Sequence, residues 1–166
     1  MGVKITDRET PEGKRFMAEL ADLAGLEVFV GYQRGEKQSE DGHDLVDIAA
    51  WNELGTSRGI PERPFLRQTI DKNQDAIWDA MDAIPGHIEN GMDGKTLCNA
   101  LGEMVVGMVQ EEIPTGNFAP NAPSTLGHTR ISDGKYIKRK KSDVPLIDTG
   151  QLRQSVHHVV RKKEQG

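Results

Sequence analysis

Two stretches have the residue pattern of a β-strand, and they lie near opposite ends of this 166-residue chain. The first is Leu26-Glu27-Val28-Phe29-Val30, rich in β-branched and aromatic types and closed by Gly31, with Leu26, Val28 and Val30 on one face. The second is Ser155-Val156-His157-His158-Val159-Val160. A strand leaves unpaired backbone groups until it finds a neighbour. If the two segments pair, the fold must therefore bring the two ends of the chain together.

The segments between them read mainly as helix. Thr10-Pro11-Glu12 is a helix start, because Thr accepts from a free amide, Pro suits the first turn and Glu favours the positive end. Phe16, Leu20, Leu23 and Ala24 follow at helical spacing, and Gly25 is expected to supply a left-handed stop. Asp44 can cap a short helix through Leu45, Ile48, Ala49 and Trp51, closing at Leu54-Gly55. Phe65, Ile70, Ile77, Met81 and Ile84 mark a long amphipathic helix that should stop near Pro85-Gly86. Another is expected over residues 95–113, with Leu97, Leu101, Met104, Val105 and Met108 on one stripe. Gly102 and Gly107 inside it each cost about 1 kcal/mol relative to Ala, which implies close backbone contact at both.

The expected fold is α+β: a small mixed or antiparallel sheet with strands from both chain ends, covered by two long helices. The length suits a single domain over residues 1–166. Periodicity largely disappears from Pro114 to Pro145, where prolines and glycines punctuate the chain, with at most a short helix around residues 124–131. So long an irregular stretch is commonly functional or an extended arm, and residues 114–147 are read as an extended loop or inter-subunit arm. The polar run over residues 33–42 reads as an exposed loop. Residues 148–153 form a turn or one helical turn.

Charge is divided unevenly. Residues 1–129 hold 11 basic and 22 acidic side chains, whereas residues 130–166 hold 10 basic and 4 acidic ones. Such a chain can attract copies of itself, bind a polyanion with its basic end, or simply carry a solvated basic terminus. The run Lys135-Tyr136-Ile137-Lys138-Arg139-Lys140-Lys141 is the candidate contact: it can dock on an acidic neighbouring subunit or neutralise phosphates. Tyr136 alone is a poor base-stacking platform, so DNA is the second choice. No apolar stretch is long enough to span a membrane, no apolar signal-peptide core opens the chain, and the single cysteine fits a reducing compartment.

Catalytic patterns are absent. The histidines (His43, His87, His128, His157 and His158) form no helical ligand pair, and His157 and His158 would point to opposite faces of a strand. Cys98 lies beside Leu97 and Leu101 as a small core residue. Gly94-Lys95-Thr96 imitates the end of a phosphate loop. However, Glu89 occupies the position of the first glycine, and no strand precedes it, so the segment reads as an ordinary capped helix start. The chain is expected to be no enzyme and to need no cofactor and no metal.

Two further segments carry a resemblance. Ile48-Ala49-Ala50-Trp51-Asn52-Glu53-Leu54-Gly55-Thr56, followed by Ile60-Pro61-Glu62-Arg63-Pro64-Phe65-Leu66, resembles the "helix, Asn-x-x-Gly-Thr, Ile-Pro-x-Arg-Pro-Phe" signature of tailed-phage morphogenesis proteins. Pro145-Leu146-Ile147-Asp148-Thr149-Gly150-Gln151-Leu152-Arg153-Gln154-Ser155 resembles their "Pro-Leu-x-Asp-Thr-Gly-x-Leu-x-x-Ser" segment, in the expected order. The resemblance implies a non-enzymatic structural protein of the tail-completion, tail-terminator or head–tail connector group, a small α+β subunit assembling as a ring, with a hexamer favoured. It further implies a place in the virion at the neck or tail, after synthesis in the host cytoplasm, with other neck and tail proteins as partners.

Within these motifs Asn52, Gly55, Pro61, Pro64, Phe65, Asp148, Gly150 and Leu152 are expected to be structural. Gly55 ends a helix, the prolines stiffen the exit, and Phe65 and Leu152 enter the core. Asp148 would fix the turn by accepting from the Gly150 or Gln151 amide. Arg58, Arg63, Lys138, Arg139, Lys140 and Arg153 are the expected partner contacts. For Arg63 two roles stand open: forking onto a carboxylate of its own or a neighbouring subunit, or capping helix carbonyls within its own.

Overall fold

Helices begin where the sequence supplies an acceptor for free amides. In a computed structural model, residues 10–35, 42–57, 59–121, 128–130, 136–138, 145–146 and 150–164 are described. The Thr10 hydroxyl accepts from Gly13 N at 3.1 Å and opens α1 (Pro11–Ala24). Gly25 does not adopt the expected left-handed conformation: its φ is −88°, and its amide donates back to the Asp22 and Leu23 carbonyls. This tight turn leads directly into β1 (Leu26–Gly31). The Asp44 carboxylate accepts from Val46 N and Gly35 N, at 3.0 and 2.8 Å, and starts α2 (Leu45–Leu54). Those two amides hold its pKa below the usual carboxylate value.

The long helix expected from Phe65 onward is two helices, α3 (Phe65–Lys72) and α4 (Gln74–Glu89). Asn73 separates them: its backbone, at φ −108° and ψ 15°, leaves the helical range, while its amide still donates to Thr69 O at 3.1 Å and Ile70 O at 3.2 Å. Nor does α4 stop at Pro85. Proline removes one donor, but Ile84 and Ile88 on either side are buried against Leu97, Phe16, Leu20 and Leu23, and packing carries the helix on to Glu89.

The Asp93 carboxylate accepts from the Thr96 amide and hydroxyl, at 2.9 and 2.6 Å, and opens α5 (Gly94–Thr115). This is the capped start that the sequence implied. Leu97, Cys98, Val105, Val106, Val109 and Ile113 bury one side of α5, and burial pushes the Cys98 thiol pKa up.

Three short elements follow: β2 (His128–Arg130), β3 (Tyr136–Lys138) and α6 (Gln151–Ser155), before β4 (His157–Lys162). The chain ends do meet. β1 and β4 pair antiparallel, from Leu26 opposite Lys162 to Gly31 opposite His157. The second strand begins two residues later than expected, since Ser155 closes α6. β2 and β3 form a separate antiparallel ladder, with His128 opposite Lys138. The described part of the expected helix over residues 124–131 is therefore strand, and the rest lies outside the described residues.

The result is an α+β fold with, among the described residues, two small antiparallel sheets. Of the two longest helices, α5 packs on β1 and β4, whereas α4 packs on α5 and α1 instead of covering the sheet. Gly102 is where α5 meets β4: a Cβ there would lie 2.5 Å from the His158 ring, so only glycine permits this approach. The same expectation fails at Gly107, which faces open space. The main core joins Ala49, Phe65, Val106, Val109, Ile113, Leu146, Leu152 and Val156. Among the described residues, no helix is long and apolar enough to cross a membrane.

Candidate functional site

The first motif folds into a clamp between α2, α3 and the segment that leaves α5. Gly55 ends α2 with φ 68°, and a Cβ there would meet Glu62 N at 3.0 Å and Ile60 O at 3.1 Å. Thr56 closes the following loop: its amide donates to Ile60 O at 2.9 Å, and its hydroxyl accepts from Ile60 N at 3.2 Å. Pro64, at the start of α3, offers no side-chain acceptor for the free amides. Glu53 supplies one from α2. Its carboxylate accepts from Leu66 N (2.9 Å), Arg67 N (3.1 Å) and Arg67 Nε (3.0 Å), although the residue is only 8% exposed. Arg67 also reaches Glu53 O and the Glu62 carboxylate.

Arg63 occupies the centre. It is 4% exposed, and its guanidinium donates to four acceptors of its own chain. These are Ala119 O at 2.8 Å, Asn52 Oδ1 at 3.0 Å, Pro120 O at 3.0 Å and Asn121 Oδ1 at 3.4 Å. The expectation that Arg63 is presented to a neighbour is thereby corrected. Burial holds its pKa below the ordinary arginine value, and the planar fork ties residues 119–121 to α2. Asn52 is the hinge of this arrangement, donating to Ile48 O (2.8 Å) while its own carbonyl oxygen accepts from Arg63.

The second motif arrives on the other side of the same core. Leu146 is buried with φ 64°, an uncommon conformation for a branched side chain. Gly150, with φ 78°, precedes α6, and Leu152 is buried beside Phe65 in the main core. Tyr32, just after β1, donates its hydroxyl to Leu152 O at 3.0 Å and meets the Phe65 ring edge-on at 6.3 Å. Burial, assisted by the Glu53 charge, keeps this phenol neutral well beyond its ordinary range. On α5, Glu112 accepts from Gln68 Nε2 and Lys72 Nζ, both at 2.6 Å, and ties α3 down.

Asn52, Gly55, Pro61, Pro64, Phe65, Gly150 and Leu152 thus lie in or beside one connected unit. Arg153 projects from α6 as an exposed side chain. Lys138 ends β3, paired along the backbone with His128. Arg58, Arg139, Lys140 and Asp148 lie outside the described residues, as does most of the stretch over 114–147. Sequence reasoning missed Glu53, Arg67 and Glu112. Pro64 before α3 signals that a side-chain acceptor must come from elsewhere, but nothing in the sequence singles out Glu53 as that acceptor. Among the described residues, no three of His, Cys, Asp and Glu gather as a metal group would require. Comparison with protein-family models, with curated proteins and with solved structures finds no match in any of the three.

Proposed function

We propose that this chain is a non-enzymatic building block of a phage virion, assembling with copies of itself into a ring that completes the tail or joins it to the head. The observation that supports this reading is the meeting of its two motifs. Residues 52–66 and 145–155 are far apart in sequence, yet Phe65, Leu146 and Leu152 share one core cluster. In the first motif Asn52, Glu53, Thr56 and Arg63 bond within the chain, as scaffold residues do. The basic residues Arg58, Lys138, Arg139, Lys140 and Arg153 then serve as contacts to neighbouring subunits. The arm expected over residues 114–147 is cut back to 122–144, because Thr115 ends α5, Arg63 holds residues 119–121 and Leu146 fills the core.

The direct test is mass. At micromolar concentration and low salt, light scattering should report a closed multiple of the 18.3 kDa chain, six copies being favoured. Raising salt to about 0.5 M should loosen the ring, because screening lengths fall to a few ångströms. A chain that stays monomeric under all these conditions refutes the reading.

The basic run 135–141 favours one rival, a nucleic-acid-binding module. A slope steeper than about four in log K against log salt would indicate several phosphate contacts and support it. A flat titration removes it.

A further inference from the structure

Two patches of described residues each hold an aromatic side chain and unpaired charges at the surface, and their charges have opposite sign. The first is on α4, which carries Asp75, Asp79, Asp82 and Glu89 but neither Lys nor Arg. Asp75, Trp78 and Asp82 recur at helical spacing and form one stripe, with Met81 beside it. Ile84 and Ile88, which hold α4 to α1 and α5, lie on another face. Trp78 is 53% exposed and Met81 41%. Asp75, Asp79 and Asp82 form no ion pair among the described residues. Like charges three and four residues apart destabilise their own helix, and a cation brought against them removes that cost.

The second patch is the outer face of the β1–β4 sheet. Strand alternation and the register put Glu27 and Phe29 of β1 on the same face as Arg161 and Val159 of β4. The other face is turned to α5, where the His158 ring meets Gly102. Phe29 is 52% exposed, and the Arg161 guanidinium lies 5.8 Å from the centre of its ring. Lys163 continues the ladder, its amide donating to Gly25 O at 2.8 Å. Arg161 and Lys163 are exposed, and neither forms an ion pair among the described residues, although Glu27 stands opposite Arg161 in the register.

Both elements pack on α5, and both patches face solvent instead, so within one subunit they stay apart. A second copy can bring them together. Its cations would neutralise the aspartates, and Trp78 and Phe29 would leave water in the same contact. A contact between two different surfaces is heterologous, and repeating it generates a ring when the rotation closes.

We propose that the Trp78 face of α4 docks on the Phe29 face of the β1–β4 sheet of a second copy, with Arg161 and Lys163 meeting Asp75 and Asp82. This names the contact surfaces of the proposed ring and rests on that reading.

Charge exchange tests it. One chain carries Asp75→Lys with Asp82→Lys, and another carries Arg161→Glu with Lys163→Glu. By light scattering at micromolar concentration and low salt, each should be monomeric alone, because its two patches now repel. An equimolar mixture should recover the wild-type mass, since alternating the two chains restores opposite charge at every contact. That recovery also shows that both variants are folded.

Trp78→Ala provides the second measurement. Trp78 is half exposed, so the fold should survive by circular dichroism while self-association weakens by about tenfold or more. Leu54→Ala, at a side chain 67% exposed on α2, should change neither. If the wild-type ring forms but either charge-reversed chain assembles alone at full strength, or the mixture stays monomeric, or Trp78→Ala assembles as the wild type does, the pairing of these patches fails and the ring stands. If the wild-type chain is monomeric throughout, both fail.

Discussion

The clamp around Arg63 and the edge of β1 that no described strand pairs lie on either side of α3 and differ in how fully their groups are partnered within the chain. In the clamp, every polar group that burial removes from water has a partner on the same chain. Glu53 replaces the cap that Pro64 lacks, and Arg63 satisfies two backbone carbonyls and two side-chain amides. Beside β1, no described strand pairs with its second edge, and Ile70 of the neighbouring α3 stays 44% exposed. A region satisfied internally contributes to folding, whereas an exposed apolar side chain contributes little to it. Arginine in a motif therefore does not by itself mark a contact surface.

The sharpest way to break this distinction is to remove the arm while leaving the clamp intact. The deletion should span residues 122–143, because Arg63 binds Ala119, Pro120 and Asn121 and a cut further upstream would damage the fold. Leu146 must also stay, as it fills the core. The shortened chain should keep its urea midpoint and lose all self-association by light scattering. Arg63→Ala should do the reverse. It leaves several buried acceptors without a donor, at a cost of about 3 kcal/mol in urea unfolding. Arg63→Lys should recover less than half of that loss, because an ammonium cannot span the same four acceptors. A stable Arg63→Ala subunit that fails only to assemble would return Arg63 to the interface.

Much of the scaffold was legible because its signals are local. Thr10, Asp44 and Asp93 announce helix starts through side chains that reach their own amides, and Gly55 announces a stop. The pairing of the two chain ends followed from having two strand-like segments that each needed a partner. What escaped was decided between elements. The passage of α4 through Pro85 depends on Ile88 packing, which periodicity does not encode, and nothing in the pattern of apolar residues marks the short break at Asn73. Arg63 takes neither expected role: it binds no carboxylate and caps no helix, and only the position of the irregular residues 119–121 beside Asn52 sets its partners.

Gly102 and Gly107 offer a finer comparison within α5. Gly102→Ala must displace the His158 ring, and overpacking of this kind costs about 1–3 kcal/mol. The gain in helix propensity offsets less than about 1 kcal/mol of it, so a net loss is expected in thermal unfolding. Gly107→Ala meets nothing within 4 Å and should raise stability by up to about 1 kcal/mol. Gly102 also sets the seat of β4, so the loss should come with reduced pairing of the chain ends, visible as faster amide exchange at Val160. Equal effects at both glycines would mean that α5 does not rest on β4 in this way.

The smallest expected effect separates folding from association by pH. Asp44 is held below its ordinary pKa by the Val46 and Gly35 amides, and Asp93 by the Thr96 hydroxyl and amide. A carboxylate whose folded pKa is depressed contributes its full stability above the unfolded value near 3.9 and loses it as pH falls through the folded value. The subunit should therefore weaken progressively below about pH 4. Asp44→Asn with Asp93→Asn should flatten that acid limb, since asparagine still caps a helix but does not titrate. The clamp should contribute nothing to the slope through Arg63, whose charge persists across the range. An acid limb unchanged by the two substitutions would move the sensitivity away from the helix caps and toward the other carboxylates of the acidic subunit.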